Sequence, residues 1–293
     1  METVHINIPL LKSLLSLATV IEAKDPYTGG HTWRVSRYAR MLSEKAGLSR
    51  DEAFIVYFGS MVHDIGKVSV PEPILSKPDR LTTVEYDIIK KHPAIGRTLV
   101  YDHPLGLWTL DIVTSHHERF DGRGYPYGLA GEQINIMARI VAIADAFDAM
   151  TSTRPYRAGM SSEAACSLME KESGAQFDPL LLPYFLDMVN NGELDHVLGH
   201  SSDEHLMHTC PDCGPIVALP LATRDGDQVI CPKCRGIYNV HASGGGYEIE
   251  WIGTVDFTWI PQPDVDTISD VIANAPRVLR LPSTSIDLLA TAV

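Results

Sequence analysis

From Leu10 to about Asn190, apolar residues recur at three- and four-residue spacing, which predicts a succession of amphipathic helices. Leu10, Leu14, Leu17 and Ile21 share one face of the first. Asp25-Pro26 ends it, because the residue before proline is pushed out of the α region. A second helix is predicted from His31 to Ala46, with Gly47 as its C-terminal cap and Ser49 as the N-cap of a third from Arg50 to His63. Pro71 to Leu81 reads as a proline-rich loop. Thr82, with Glu85 three residues on, has the capping-box spacing of a helix start, and His92 stands on the helix before Pro93. Further helices are expected at about Leu105–His117, Ile136–Met150, Ser162–Glu172 and Pro179–Val189.

The pattern changes after Asn190-Asn191-Gly192. Short β-like runs, Ile216–Leu221, Gln228–Ile230, Ile237–Val240 and Tyr247–Ile252, are separated by Asp225-Gly226 and Gly244-Gly245-Gly246. The tail from 261 to 293 has little periodicity beyond a short helix at Asp266–Asn274. The expectation is a mainly α protein: a helical bundle over 10–190, a small β-rich module over 205–255, and a tail over 256–293.

Charge narrows the function. The formal net charge of −13 argues against a bulk binder of nucleic acid or of membrane surfaces, and an anionic substrate would need local cations. No apolar run reaches the roughly 18 residues of a membrane span, so no span is predicted, and neither a signal peptide nor a receiver or sensor domain is expected from the residues ahead of Leu10.

Within the helical part, His63-Asp64 and His116-His117 join His31, His92 and Asp145 as a set that can close a two-metal pocket. Neutral imidazoles and carboxylates are the ligands that divalent iron, manganese or zinc prefer. Adjacent side chains on a helix point about 100° apart, so each pair can grip different ions, or Asp64 can bridge two. Asp145 lies in the apolar run from Ile140 to Phe147, where an unpartnered charge would cost several kcal/mol, and a metal accounts for it. Asp148 in the same helix reads as a solvated or capping carboxylate. Taken singly, each histidine is as well read as a surface or core residue; the agreement of independent motifs favours the metal.

Gly122 to Pro126 reads as a tight loop: glycines permit close approach and positive φ, and proline stiffens it. Gly124, Tyr125 and Pro126 are the candidate substrate contacts. Tyr125 either offers a flat face to a base or packs the loop onto the helices. Arg154 and Arg157 carry planar forks that suit phosphate, with structural ion pairs as the alternative. Lys67 either protonates a leaving oxygen, holds a phosphate oxygen, or is a surface ammonium.

Four of the five cysteines form two Cys-Pro-x-Cys pairs, Cys210/Cys213 and Cys231/Cys234. Four thiolates at this spacing close a tetrahedral structural zinc site, which fits a reducing cytoplasm better than a disulfide framework does. The segment resembles a zinc ribbon, and so small a β unit needs the metal to fold. Lys233 and Arg235 are too few for a basic patch, so docking of a protein partner, or docking within the chain, ranks above nucleic acid. His205 and His208 read as solvent-exposed and Cys166 as a buried helix residue.

Residues Leu14 to Val189 resemble the HD-GYP domain, a subgroup of the HD metal-dependent phosphohydrolases. The matching strings are Asp25-Pro26-Tyr27-Thr28 with His31, His63 to Lys67, His92-Pro93 with Gly96, the long run His116 to Pro126, Ala144 to Thr151, Arg154 to Arg157, and Gln176 to Pro179. The resemblance implies an HD-type helical bundle that cuts cyclic di-GMP to pGpG, and further to GMP if a second bond is cut. Another cyclic dinucleotide such as cyclic GMP-AMP, or a weakly active signalling adaptor, is the alternative. It implies His31, His63, Asp64, His92, His116, His117 and Asp145 as ligands of two ions, iron or manganese, with Asp64 bridging. Asp64 and Lys67 would be catalytic. A water shared by two such ions is acidified towards neutrality and becomes the attacking hydroxide. Some members hold a third metal with a glutamate four residues before the first histidine; here Tyr27 stands there, so two ions are expected.

Overall fold

The computed structural model describes the chain except residues 1, 25–28, 78, 154–157, 204, 213, 221, 232–233, 244–245, 256–262 and 282–293. A short strand β1 (Glu2–His5) leads into α1 (Ile8–Ala23), α2 (His31–Lys45) and α3 (Arg50–Val62). A 3-10 turn (Ile65–Ser69) and the short α4 (Glu72–Leu75) and α5 (Thr83–Ile89) precede α6 (His92–Tyr101) and α7 (Leu110–Ser115). The helical part ends with α8 (Ile136–Thr151), α9 (Ser162–Lys171) and α10 (Leu182–Asn190). Then come β2 (His200–Ser202), β3 (His205–Cys210), β4 (Gly214–Pro220), β5 (Gln228–Ile230), β6 (Gly236–Ser243), β7 (Gly246–Thr254), α11 (Val265–Asn274) and β8 (Val278–Leu281).

Local signals explain most boundaries. Ser49 and Glu52 form a capping box at α3, and Thr82 and Glu85 form one at α5. On α1 the buried face is Leu11, Leu14, Leu15, Ala18 and Ile21, whereas Leu17 points outward. His92 opens α6, with Pro93 in its first turn, because the preceding helix stops at Ile89. The helix expected from Leu105 is split into a 3-10 turn (Gly106–Thr109) and α7. Part of the expected loop 71–81 is α4.

Two buried clusters build the helical body. One joins α2, α8, α9 and α10 around Tyr38, Phe147 and Phe185, whose rings meet edge to face. The other joins α1, α3 and α7 around Leu11, Phe54 and Phe58, and it takes in Ile268 and Val271 of α11 and Leu279 of β8. The chain thus returns to the body through α11 and β8, and β8 pairs antiparallel with β1 (His5 opposite Val278). Between them lie two antiparallel three-stranded sheets, β2-β3-β4 and β5-β6-β7, with a small core of Val217, Leu219, Tyr238 and Val240 beside Cys210 and Cys231.

Candidate metal centre and substrate cleft

His63 caps the end of α3 and Asp64 opens the 3-10 turn, so the two leave the helix in different directions. His31 opens α2, His92 opens α6, His116 and His117 follow α7, and Asp145 lies on α8. The turn after Asp64 lies hard against α6: a Cβ on Gly66 would stand 1.9 Å from the His92 carbonyl oxygen, so only glycine permits this approach.

The structure brings the donors together in two groups that share Asp64. Asp64, His92, His116 and His117 form one and His31, His63 and Asp64 the other, with ligand atoms within 4.8 Å of each other in each group. Asp64 Oδ1 lies 3.1 Å from His92 Nε2, while Oδ2 lies 3.4 Å from His63 Nε2 and 3.7 Å from His31 Nε2. Asp145 Oδ1 lies 3.4 Å from His31 Nε2.

Four of the imidazoles are oriented from behind. Nδ1 faces Asp148 Oδ2 at 2.8 Å in His31, the Ser60 carbonyl at 2.6 Å in His63, the Ile89 carbonyl at 2.8 Å in His92, and the Ile112 and Val113 carbonyls at 3.0 and 3.1 Å in His116. These acceptors assign the hydrogen to Nδ1 and leave the Nε2 lone pair facing the pocket, the arrangement of metal-binding histidines. His92 Nε2 and His116 Nε2 then oppose each other at 3.2 Å, two lone pairs that a shared cation would satisfy. His63 Nε2 is buried and makes no hydrogen bond among the described residues. The donor set fits divalent iron, manganese or zinc.

Electrostatics set His63 apart from His116 and His117. Burial works against the Asp64 carboxylate, but Lys67 and His63 hold it well below the usual carboxylate range. Burial likewise opposes charge on His63, yet Asp64 prevails and lifts it to about 9. Burial, with neighbouring imidazoles, drives His116 well below the ordinary value and His117 down to about 3.

An open cleft of about 810 Å³ leads to the donors, lined by His31, Asp64, His92, His116, His117 and Asp145. Lys67, Lys90 and Arg123 add positive charge to its wall, and Tyr86 of α5 faces it. Lys67 Nζ lies 2.6 Å from Asp64 Oδ2. Gly124 and Tyr125 are among the lining residues and Pro126 is not. Gly124 cannot carry a side chain, since a Cβ would come within 2.3 Å of the Arg119 nitrogen. Tyr125 stacks on His117, centroids 4.8 Å apart, so the loop is fixed to the donor cluster. Tyr27, Arg154 and Arg157 lie outside the described residues.

Sequence reasoning missed the supporting layer. Asp148 is fully buried rather than solvated; it binds His31 and receives a forked ion pair from Arg34. It lies one turn beyond Asp145 in the same apolar helix, where an unpartnered carboxylate is equally costly. Glu118, 3% exposed, accepts the amides of Tyr127 at 2.7 Å and Leu129 at 3.1 Å and so anchors the Gly-Tyr-Pro loop.

At the other end, Cys210, Cys231 and Cys234 bring their sulfurs within 4.8 Å of one another, each at or beside a hairpin turn, and Cys213 lies outside the described residues. The Gly236 amide donates to Cys234 Sγ at 3.4 Å. His205 and His208 are half-buried on β3 rather than exposed, and Cys166 is buried on α9 as expected.

A helical bundle presenting histidines and aspartates to a cleft defines a metal-dependent phosphohydrolase class. The sequence profile of that class, the HD domain, matches residues 16–181, more than half of the chain. The chain belongs to the HD domain family. It is similar to the cyclic di-GMP phosphodiesterase response regulator RpfG of Xanthomonas campestris pv. campestris, 38% identical over 194 residues, 65% of this chain and 50% of that protein. A cyclic di-GMP phosphodiesterase of Thermotoga maritima is 36% identical over 201 residues, covering 68% and 54%. The 3'3'-cGAMP-specific phosphodiesterase 3 of Vibrio cholerae is 33% identical over 186 residues, covering 63% and 40%. The chain thus spans about half the length of the curated relatives it matches.

Proposed function

We propose that this chain is a two-metal cyclic dinucleotide phosphodiesterase that hydrolyses cyclic di-GMP to pGpG, with GMP the product where a second bond is cut. One observation carries the reading: Asp64 is shared by two donor groups, one on each carboxylate oxygen. The ions are iron or manganese, which suit a nitrogen and oxygen donor set that lacks thiolate. When bound, such a pair supplies an activated water and neutralises charge at phosphorus. The chain's own residues do the rest. Asp64 holds both halves of the centre in register. Lys67, beside Asp64 Oδ2, is placed to hold a phosphate oxygen or hand a proton to the leaving oxygen. Lys90 and Arg123 supply the local cations that an anionic substrate needs on so acidic a protein. Tyr125, Gly124 and Pro126 shape the wall for a base, and Arg154 and Arg157 contact phosphate or guanine.

Relatives named for 3'3'-cGAMP at 33% to 36% identity support a second substrate reading. Turnover with manganese or ferrous iron on cyclic di-GMP, cyclic GMP-AMP and linear pGpG separates the two. Asp64→Ala and His63→Ala are expected to abolish hydrolysis, a loss of about 10³-fold or more, with helix content retained. Full activity of either variant in a metal-replete assay refutes the assignment.

The cysteine cluster is read as a structural zinc site completed by Cys213, in a module that docks within the chain or onto a protein partner. One zinc per chain, lost in Cys231→Ser, is the expected result. No helix among the described residues is long and apolar enough to cross a membrane, and reduced cysteines suit a cytoplasmic setting.

A further inference from the structure

Arg34 sits one turn into α2, three residues after His31, and is 4% exposed. A guanidinium has five N–H donors, and each of these meets an acceptor. Nε donates to Asp148 Oδ1 at 2.5 Å; Nη1 to the carbonyls of Gly29 at 3.0 Å and His200 at 2.7 Å; Nη2 to Asp148 Oδ2 and Ser152 Oγ, both at 3.2 Å. The acceptors come from the entry to α2, the end of α8 and strand β2. That strand pairs with β3, which ends in Cys210.

A second contact reinforces the first. Gly30, at φ +71°, is the N-cap of α2 and directly precedes His31. A Cβ there would come within 2.3 Å of the Ser201 Cα, so the backbone of β2 lies against the turn from which His31 enters the centre.

We propose that Arg34 is a positioning residue for the His31–His63–Asp64 half of the centre, and that through it strand β2 of the C-terminal region sets the geometry of that half. The proposal rests on the two-ion reading above. His31 is held by its Nδ1 bond to Asp148, and the buried Asp148 carboxylate is held by the fork of Arg34. Without that fork Asp148 becomes an underpaired buried charge and lets the imidazole turn. The other half shares Asp64 but takes its imidazole orientation elsewhere: His92 and His116 are oriented by carbonyls of their own segments.

Titration of the metal-free full chain with Mn²⁺, counted by the electron paramagnetic resonance of free ion, tests this; Mn²⁺ is too hard an ion to favour the cysteines. The wild type is expected to take two equivalents. Arg34→Lys, which keeps the charge but loses the planar fork, is expected to keep one and bind the other roughly 10–100-fold more weakly, the scale of outer-shell effects on metal affinity. The retained equivalent reports a folded bundle, whereas a merely structural role would move both or neither. If Arg34→Lys does not keep helical circular dichroism, Asp148→Asn carries the same test. Two equivalents of unchanged affinity, or parallel loss of both in a folded variant, overturns the proposal. A wild type that takes no Mn²⁺ overturns the two-ion reading, and this proposal with it.

Discussion

His92 and His116 point Nε2 at Nε2 across 3.2 Å, each with Nδ1 turned to a main-chain carbonyl. Two lone pairs held this close repel unless a cation lies between them. A cation bound between them would satisfy both lone pairs at once.

Removing metal should therefore lower stability. Mn²⁺ restored to the chelated protein at about 100 times its Kd is expected to contribute about 2.7 kcal/mol per site. For a protein of this size that corresponds to a rise in Tm of roughly 4 °C per ion. Scanning calorimetry before and after addition checks this; an unchanged Tm contradicts it.

The metal-free protein should be most stable near pH 6.5. His117 is pushed down to about 3, and His116 well below its ordinary value, both chiefly by burial. An unfolded imidazole titrates near 6.5. Between about 3 and 6.5 the unfolded chain binds protons that the folded one refuses, so stability falls on acidification. His63, raised to about 9 by Asp64 against the opposing effect of burial, acts in the other direction. Its contribution is fully present below 6.5 and is lost as pH rises through 9. Urea unfolding of chelated protein from pH 4 to 9.5 should trace a maximum; a flat profile contradicts these assignments.

Glu118→Ala should loosen the Gly-Tyr-Pro loop. It leaves the Tyr127 and Leu129 amides without their acceptor, at a cost of about 1–3 kcal/mol. Because Tyr125 packs on His117, KM for the dinucleotide is expected to rise along with the loss of stability. Wild-type KM and Tm in this variant would show that the anchor is dispensable.

The helices and the donors were legible in the sequence because both are local signals: apolar spacing, capping boxes at Ser49 and Thr82, and adjacent ligand pairs. Their support was not. The Arg34–Asp148 pair joins residues 114 apart, and Asp148 looks like any surface carboxylate until its partner is placed. In the tail the short helix at Asp266–Asn274 was legible, but not its docking. Ile268 and Val271 of that helix, with Leu279, are buried among residues of α1 and α3, and a contact so distant in sequence leaves no local signal. Strands β1 and β8 owe their existence to each other across almost the full chain, which no local pattern encodes.

Anomalous diffraction at the manganese edge, from crystals grown with Mn²⁺, tests the central claim most directly. Two peaks should flank Asp64, one beside Oδ1 with His92, His116 and His117, the other beside Oδ2 with His31 and His63. A single peak away from Asp64, or none with the imidazoles turned apart, would contradict the account.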